Sequence, residues 1–286
     1  MHADHPQDDT PFMLRMEHKE FKRKPYSLNH YARDIYSQCG EDGIIEHIFI
    51  KLRHRNKYAV EFGAWDGIHY SNTFNLIQNN KCSVLMIEGS AEKFKDLEET
   101  ARKVHGKITP VNGIVGIRDY PLLDTYLQQN DAPEYPDLLS IDVDGIDYHI
   151  WASLKNYHPR VVVIEYNPTI PNDVFFVQAA NEYICEGSSA AAIVELAAQK
   201  GYQLAAVTLY NLIFVVHEEF HLLHIEDNSL ASLRETAWNP RIFYGQNGRI
   251  FTIGMHYSIW HPNVTMKYDS LQILSKFEWG DSLHRT

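Results

Sequence analysis

Alternation between short apolar runs and helical segments is the feature that most constrains the fold of this chain. Five runs of four or five mainly apolar residues recur along it: 58–62, 84–87, 108–111, 138–141 and 161–164. Segments with helical periodicity lie between them. Continuous apolar strands are typical of a parallel sheet that is covered on both faces, and their alternation with helices predicts right-handed crossovers. We therefore expect an α/β fold with a doubly wound, mostly parallel, Rossmann-like sheet.

The expected sheet ends in two strands at 202–207 and 212–216, which follow an Ala-rich helix at 190–201. Only Thr208 to Asn211 lie between these strands, and this segment is too short for a helical crossover. The two strands must therefore be antiparallel neighbours. Most dinucleotide-binding Rossmann domains do not end in such a hairpin.

The sequence divides into one domain and two flanking segments. Residues 1–25 are charged and poor in periodic apolar residues, which predicts a flexible lead-in. Residues 26–220 contain the whole expected sheet. Residues 221–286 are expected to form an extension that packs on the same domain or mediates dimerisation, with a hairpin and an Asn-Gly turn at 243–251.

Composition narrows the class of partner. The net charge of -11 argues against a nucleic-acid-binding surface and favours a small-molecule or glycan substrate. Cys39, Cys82 and Cys185 lack the spacing of a disulfide framework or a zinc site. The polar N-terminal segment lacks the apolar stretch of a signal peptide, and no apolar run approaches the ~20 residues that span a bilayer. We expect a cytoplasmic protein without a membrane partner.

The ends of the first two strands carry residues that suit a nucleoside. Gly63 and Gly67 let the turn after the first strand pass close to a ligand, although they could simply close a loop. Glu88, at the end of the second strand, can accept hydrogen bonds from both hydroxyls of a ribose, although it could equally be a solvated carboxylate. Their order and their spacing of about 25 residues favour a nucleoside site.

A nicotinamide dinucleotide is the obvious competing ligand for this turn. Its site requires glycines that open directly into a helix, because the diphosphate binds at the helix N-terminus. Here Gly63 and Gly67 enclose the acidic Asp66, which would repel a diphosphate. A carboxylate at this point could instead meet a methionyl ammonium or a ribose hydroxyl. The turn therefore favours S-adenosylmethionine over NAD.

An acidic cluster follows the fourth strand. Asp142, Asp144 and Asp147 lie within six residues, and Glu165 and Asn167 end the adjacent fifth strand. Oxygen ligands on adjacent strand ends suit Mg²⁺ or another hard divalent cation, which could lower the pKa of a substrate hydroxyl. The alternative is a loop in which Asp144 or Asp147 caps the following helix.

Two further features lie near this edge. His149 in the helix after the acidic cluster and His69 after the glycine turn are placed to approach the ligand, although isolated histidines are more often surface residues. The connection 168–189 is long for a strand-to-helix loop, which is typical of lids and substrate loops. We predict Asp144 and His149 as catalytic residues.

Several of these segments resemble one known family. The motifs Ser37–Gly43, Val60–Gly67, Leu139–Tyr148 and Val163–Pro168 resemble the FkbM-like branch of class I S-adenosylmethionine-dependent methyltransferases, over residues 35–217. Ala64-Trp65 in the first turn, and Tyr166 between Glu165 and Asn167, depart from the family pattern. The resemblance implies a methyltransferase domain whose sheet ends in a hairpin, with O-methylation of a sugar, glycan or small metabolite. Some related sugar enzymes hold a divalent metal at these two strand ends.

The resemblance maps Glu61, Gly63, Asp66, Glu88 and Asp142 to the cofactor and strand-end motifs, and Asp142, Glu165 and Asn167 to a metal site. The predicted cofactor-binding residues are Gln38, Glu61, Gly63, Ala64, Asp66, Gly67, Asn72, Glu88, Gly89, Ser90, Gly113, Ile114 and Asp142. The predicted metal ligands are Asp142, Glu165 and Asn167. Two other hypotheses stay open at this point: another nucleotide-dependent enzyme of the NAD type, and a non-catalytic protein that retains the fold. The sequence does not distinguish oxygen from nitrogen as the methyl acceptor.

Overall fold

The computed structural model describes residues 27–234, 241–244, 246 and 250–253. The chain divides into two compact units, Met1–Ala237 and Trp238–Thr286, and each is described by itself. Among the described residues, no helix has both the length and the apolar character needed to cross a membrane. The flexible lead-in expected at 1–25 lies outside the described residues.

The first unit alternates strands and helices. Its strands are β1 Tyr58–Phe62, β2 Ser83–Glu88, β3 Ile108–Asn112, β4 Leu138–Ile141, β5 Val161–Glu165, β6 Tyr202–Val207 and β7 Asn211–Val216. Its helices are α1 Glu41–Leu52, α2 Phe74–Asn80, α3 Ala91–Lys103, α4 Leu123–Gln129, α5 Asp147–Ser153, α6 Ala190–Gln199, α7 His217–Phe220 and α8 Leu230–Leu233. Two 3₁₀ turns span Leu28–Tyr31 and His221–Leu223.

One seven-stranded sheet forms the centre of this unit. Its strand order is β3-β2-β1-β4-β5-β7-β6. Strands β1 to β5 are parallel, whereas β7 is antiparallel to both β5 and β6. The expected doubly wound, mostly parallel sheet with a closing hairpin is therefore confirmed. Because Phe62 pairs with both Ile87 and Ile141, the carboxyl ends of β1, β2 and β4 meet at one edge.

The core consists of two apolar layers, one on each face of the sheet. Strand β5 contributes alternately, with Val161 and Val163 in the layer that includes α1 and Val162 and Ile164 in the layer that includes Trp151 of α5. All four side chains are fully buried, which explains their continuous apolar sequence. Burial of one such side chain contributes about 1.5–3 kcal/mol. The sheet is thus a rigid platform for its loops.

The amino edge of the sheet is fixed by a buried ion-pair network. Arg160 is 3% exposed, and its guanidinium donates to Asp137 Oδ1 at 2.8 Å and to both oxygens of Glu219. Asp137 also accepts from the amides of Arg55 and Lys57. Burial raises the pKa of Asp137, but hydrogen bonds from His54 and Arg160 outweigh it and lower that pKa to about 2. This network ties β4 and β5 to the segment after α1.

The second unit contains two described strands, β8 Arg241–Tyr244 and β9 Ile250–Ile253, which pair antiparallel with Tyr244 opposite Ile250. They are the strands of the hairpin expected at 243–251. The expected Asn247-Gly248 turn lies outside the described residues. Residues 221–234 belong to the first unit, where Leu223 is fully buried beside the layer of α1.

Candidate active site

The turn after β1 touches the end of β4 directly. Gly63 has φ +73, and a Cβ atom there would lie 1.8 Å from the backbone oxygen of Asp142. Every side chain larger than hydrogen is therefore excluded at this position. Ala64 is buried and its amide donates to Ile87 O at 3.2 Å, so the turn is anchored to β2 as well.

Glu88 joins three elements at the end of β2. Its Oε2 accepts from the Trp65 amide at 2.8 Å and its Oε1 accepts from the Ser90 amide at 2.7 Å. Its backbone oxygen accepts from the Gly113 amide at 3.0 Å. Because a carboxylate oxygen has more than one lone pair, both oxygens can still accept from a ligand hydroxyl. The predicted ribose-binding carboxylate is thus held between the turn after β1 and the start of α3.

Asp66 and Glu61 bind their own loops. Asp66 Oδ1 accepts from the amides of Ile68 and His69, and Oδ2 lies 2.5 Å from His69 Nδ1. Burial raises the pKa of Asp66, but the hydrogen bonds from His69 outweigh it, so that pKa is lowered. Glu61 accepts from Ser71 Oγ at 2.6 Å and from the Asn72 amide at 2.8 Å. Burial raises the pKa of Glu61.

The remaining predicted cofactor residues lie around this turn. Asn72 is buried and donates through Nδ2 to Ser140 Oγ on β4 at 3.0 Å. A Cβ at Gly89 would lie 3.0 Å from Ile114 Cγ1, so the ends of β2 and β3 are in contact. Ile114 is 43% exposed and Ser90 caps α3. Gly67 has φ +77, and a Cβ there would lie 2.7 Å from Leu97 in α3.

Gln38 is exposed in the loop that precedes α1. Two carboxylates hold this loop in place. Asp42 Oδ2 accepts from the amides of three consecutive residues, 35 to 37, at 2.6–2.8 Å. The buried Glu41 accepts from Asn211 Nδ2 at 3.1 Å, at the start of β7. The loop is therefore fixed to the carboxyl side of the sheet.

Three carboxylates come together beside this turn. Asp142, Asp144 and Glu165 each place a carboxylate oxygen within 4.8 Å of the other two. Burial raises the pKa of Asp142 well above its ordinary value, and the negative charges of Asp147 and Asp144 raise it further. Such oxygen donors suit a hard divalent cation. The predicted metal ligands Asp142 and Glu165 lie together, and Asp144, predicted as catalytic, joins them.

Asp147 has a structural part in the same loop. Its two carboxylate oxygens accept from the amides of Val143 and Gly145, at 2.9 Å each. It therefore folds the loop back on itself from the first turn of α5. The hypothesis that Asp144 or Asp147 caps this helix is wrong, because the N-cap residue is Ile146 and no side chain caps the helix. Burial raises the pKa of Asp147 to about 6.

Asn167 lies in the loop 166–189, and His149 of α5 contacts that loop. Asn167 Oδ1 accepts from the Thr169 amide at 2.9 Å and from Thr169 Oγ1 at 2.6 Å, so it closes a turn after β5. His149 Nε2 lies 2.8 Å from the backbone oxygen of Gln178. Their predicted roles, in metal binding for Asn167 and in catalysis for His149, stay predictions.

Arg234 was missed by the sequence reasoning. It is 3% exposed, and it donates to Tyr166 Oη, Pro168 O, Ile170 O and Asn172 Oδ1 at 2.6–3.1 Å. It thus holds every second residue of the segment that follows Glu165. No local pattern signals such a contact, because Arg234 and this segment lie 62 to 68 residues apart.

Sequence comparison gives no relative: no protein-family model matches the chain, and no curated protein sequence matches it.

Solved structures with a similar fold include three methyltransferases. They are a SAM-dependent methyltransferase from Aquifex aeolicus (11% identity, TM-score 0.36, covering 60% of this chain and 89% of that one), the O-methyltransferase from Bacillus cereus in complex with SAH (17%, 0.44, 64% and 84%), and the O-methyltransferase TomG from Streptomyces achromogenes, involved in tomaymycin synthesis, in complex with SAM (15%, 0.42, 63% and 82%). At these values the likeness carries no argument about what this chain binds. The sheet order and the positions of Gly63, Glu88 and Asp142 are observed in this chain and do not depend on those structures.

Proposed function

We propose that this chain is an S-adenosylmethionine-dependent methyltransferase that acts on a hydroxyl of a sugar, glycan or small metabolite. The observation that carries the proposal is the concentration of carboxylates where the strands end. Asp142, Asp144 and Glu165 place carboxylate oxygens within 4.8 Å of one another, and burial together with the charges of Asp147 and Asp144 raises the pKa of Asp142. A ligand that brings positive charge relieves this repulsion. S-adenosylmethionine brings both a sulfonium and an ammonium group.

The connection after β1 argues against NAD as the cofactor. A dinucleotide site places its diphosphate on the N-terminus of the helix that directly follows the first strand. Here residues 63–73 separate β1 from α2, which begins at Phe74. No helix N-terminus therefore opens from the glycine turn, and Asp66 lies within it.

The residues around the turn fit the parts of S-adenosylmethionine. Glu88 holds the ribose, since each of its oxygens has an acceptor site left beside the amide that it binds. Gly89, Gly113 and Ile114 border the adenine, where the exposed apolar side chain of Ile114 can pack on the base. Asp142 lies on the side of the methionyl group, next to Gly63.

We further propose that Asp142, Asp144 and Glu165 hold a divalent metal ion. A bound ion would supply Lewis acidity that lowers the pKa of the acceptor hydroxyl. The chain's own residues bind and orient the acceptor beside the cofactor, and much of the rate would come from this positioning. Arg234 stabilises the segment after Glu165, and Asp147 stabilises the loop that carries Asp142 and Asp144.

Calorimetric titration with S-adenosylhomocysteine, in Mg²⁺ and in a chelator, tests this function. The wild type should bind saturably, and Glu88→Gln should bind at least about tenfold more weakly, because the neutral amide replaces a charged acceptor of the ribose hydroxyls. Glu92→Gln, on the exposed first turn of α3, is the matched control and should bind like the wild type. Binding of NAD without binding of S-adenosylhomocysteine would contradict the proposal.

Asp144→Asn tests the metal ion separately. Asp144 is exposed and has φ +58, a left-handed conformation that Asn adopts readily, so the fold should tolerate the change. We expect the affinity for Mn²⁺ to fall about tenfold or more, with the affinity for S-adenosylhomocysteine kept within about twofold. Folded wild type that binds neither ligand would favour a non-catalytic protein that retains the fold.

A further inference from the structure

The loop 166–189 after β5 is closed on itself by one buried glutamine. Gln178 donates through Nε2 to Ile184 O at 2.9 Å and accepts through Oε1 from the amides of Glu186 and Gly187 at 3.0 and 2.8 Å. A Cβ at Gly145 would lie 2.7 Å from Ile184 O, so the loop passes directly over the loop that follows β4. The distal part of the loop, around residue 182, is thus held in a defined conformation and crosses from β5 past the end of β4.

The distal part of the loop ends against the segment that follows β3. Glu182 Oε1 accepts from three consecutive amides, those of Ile117, Arg118 and Asp119, at 2.7, 2.9 and 3.2 Å. Successive amides that converge in this way form a concave anion site, and here the anion is a side chain of the same protein. Burial raises the pKa of Glu182, but these amides outweigh it and lower that pKa.

Two neighbours make the contact specific. A Cβ at Gly116 would lie 2.4 Å from Glu182 Oε1 and 2.7 Å from Tyr120 Cβ, so a larger residue there would displace the carboxylate from its present position. The next loop residue, Tyr183, hydrogen-bonds to Tyr120, which raises the pKa of Tyr183. Residues 182 and 183 therefore dock together on residues 116–120.

The docked segment continues directly from Gly113 and Ile114. The Gly113 amide donates to Glu88 O, and Ile114 packs against Gly89, so this part of the chain borders the site assigned to adenosine. We infer that Glu182 is a positioning residue for the adenosine end of the cofactor site. It holds the loop 166–189 against residues 116–120, and this contact fixes the adjoining residues Gly113 and Ile114. The inference rests on the proposed function.

The test compares two ligands in four variants. S-adenosylhomocysteine and 5′-methylthioadenosine share the adenosine end, and only the first has the amino-acid end. Glu182→Ala should weaken both ligands by the same factor, about tenfold, because charge-assisted hydrogen bonds to three amides are lost. Glu182→Gln keeps a neutral acceptor and should weaken both about threefold. Gly116→Ala, which displaces the carboxylate while keeping its charge, should resemble Glu182→Ala.

Glu186→Gln is the matched control, because Glu186 is an exposed glutamate of the same loop. It should bind both ligands like the wild type. Hydrogen exchange of the ligand-free protein gives a second readout: Glu182→Ala should speed exchange at residues 116–120 and 174–187 together, whereas Glu186→Gln should not.

Each outcome decides the inference. Equal affinities and equal exchange in Glu182→Ala and wild type would overturn it and leave the proposed function standing. Loss of S-adenosylhomocysteine affinity alone would also overturn it, because Glu182 would then act on the amino-acid end. A wild type that binds neither ligand would refute the proposed function and the positioning role with it, whatever the exchange experiment shows about the contact.

Discussion

Arg160 at the amino edge of the sheet and Arg234 at the carboxyl edge are equally buried, at 3% exposure each, yet their surroundings differ. Arg160 meets two carboxylates, Asp137 and Glu219. Among the described residues, all hydrogen-bond acceptors of Arg234 are neutral oxygen atoms. The carboxylates nearest the carboxyl edge instead crowd one another, and the pKa of Asp142 rises through burial and the charges of its neighbours.

The two edges of the sheet therefore differ in how their charged groups affect stability. At the amino edge each buried charge has an opposite charge within hydrogen-bond distance, so the network contributes to folding. At the carboxyl edge the carboxylates repel one another, which costs stability unless a cation binds there. Clustered groups with perturbed pKa values are typical of functional sites. Four changes should break or sharpen this contrast.

Arg160→Gln should have the largest effect. It leaves Asp137 and Glu219 without their main cation in a buried setting, which costs about 3–5 kcal/mol of unfolding free energy. Denaturant titration measures this loss. Arg55→Gln is the matched control, because exposed Arg55 also contacts Glu219 and should cost under about 1 kcal/mol. Equal losses in the two variants would contradict the assignment.

Acid should remove about 2 kcal/mol of stability through Asp137 alone. Its pKa is about 2 in the folded protein, against a value of 3.8 for an unperturbed Asp, so its contribution is complete above pH 3.8 and is lost as the pH falls towards 2. Unfolding curves of the wild type and Asp137→Asn between pH 2 and 5 measure this. The difference between the two proteins should shrink as the pH falls, and a constant difference would refute the prediction.

Arg234→Gln should cost less stability than Arg160→Gln, about 1–2 kcal/mol, because it leaves buried carbonyl oxygens rather than carboxylates without donors. It should also weaken Mn²⁺ binding about tenfold by releasing the segment after Glu165, whereas Arg160→Gln should not. Calorimetry with Mn²⁺ and a parallel melting curve separate the two effects. Unchanged Mn²⁺ affinity with lowered stability would make Arg234 a purely structural residue.

Glu61→Gln should have the smallest effect on the unfolding free energy. At neutral pH it should raise this free energy, whereas the changes at the amino edge lower it. Burial raises the pKa of Glu61, so its contribution to stability is present below pH 4.5 and is lost as the pH rises through the raised value. The variant avoids this loss. It should therefore match the wild type near pH 4 and exceed its unfolding free energy near pH 7.5. A variant less stable than the wild type at pH 7.5 would contradict this.

The strands were predictable because a strand that is buried on both faces of the sheet has a continuous apolar run in its sequence. The run 161–164 corresponds to β5 Val161–Glu165, and 202–207 corresponds to β6. Helix ends were less accurate: the helix expected at 190–201 ends at Gln199, and the chain turns away at Gly201, which has φ +84. A backbone conformation of this kind has no periodic signal.

The site was predictable only as a set of positions. Topology brings the ends of parallel strands to one edge, so Glu88, Asp142 and Glu165 had to lie along the same edge of the sheet. The atoms that each side chain binds depend on loops, and Asn167 closes a turn with Thr169. Arg234 and Glu182 act across more than 60 residues of sequence, where no spacing rule applies.

The place of β7 has a consequence for the synthesis of the chain. It is the last strand of the sheet in sequence, yet it lies between β5 and β6. During translation, residues 166–216 must follow β5 before its open edge is paired, which takes roughly 3 to 10 seconds at ordinary elongation rates. In that interval the nascent chain carries an apolar edge strand that can pair with other chains. This edge of β5 therefore stays open to other chains during synthesis until residues 211–216 pair with it.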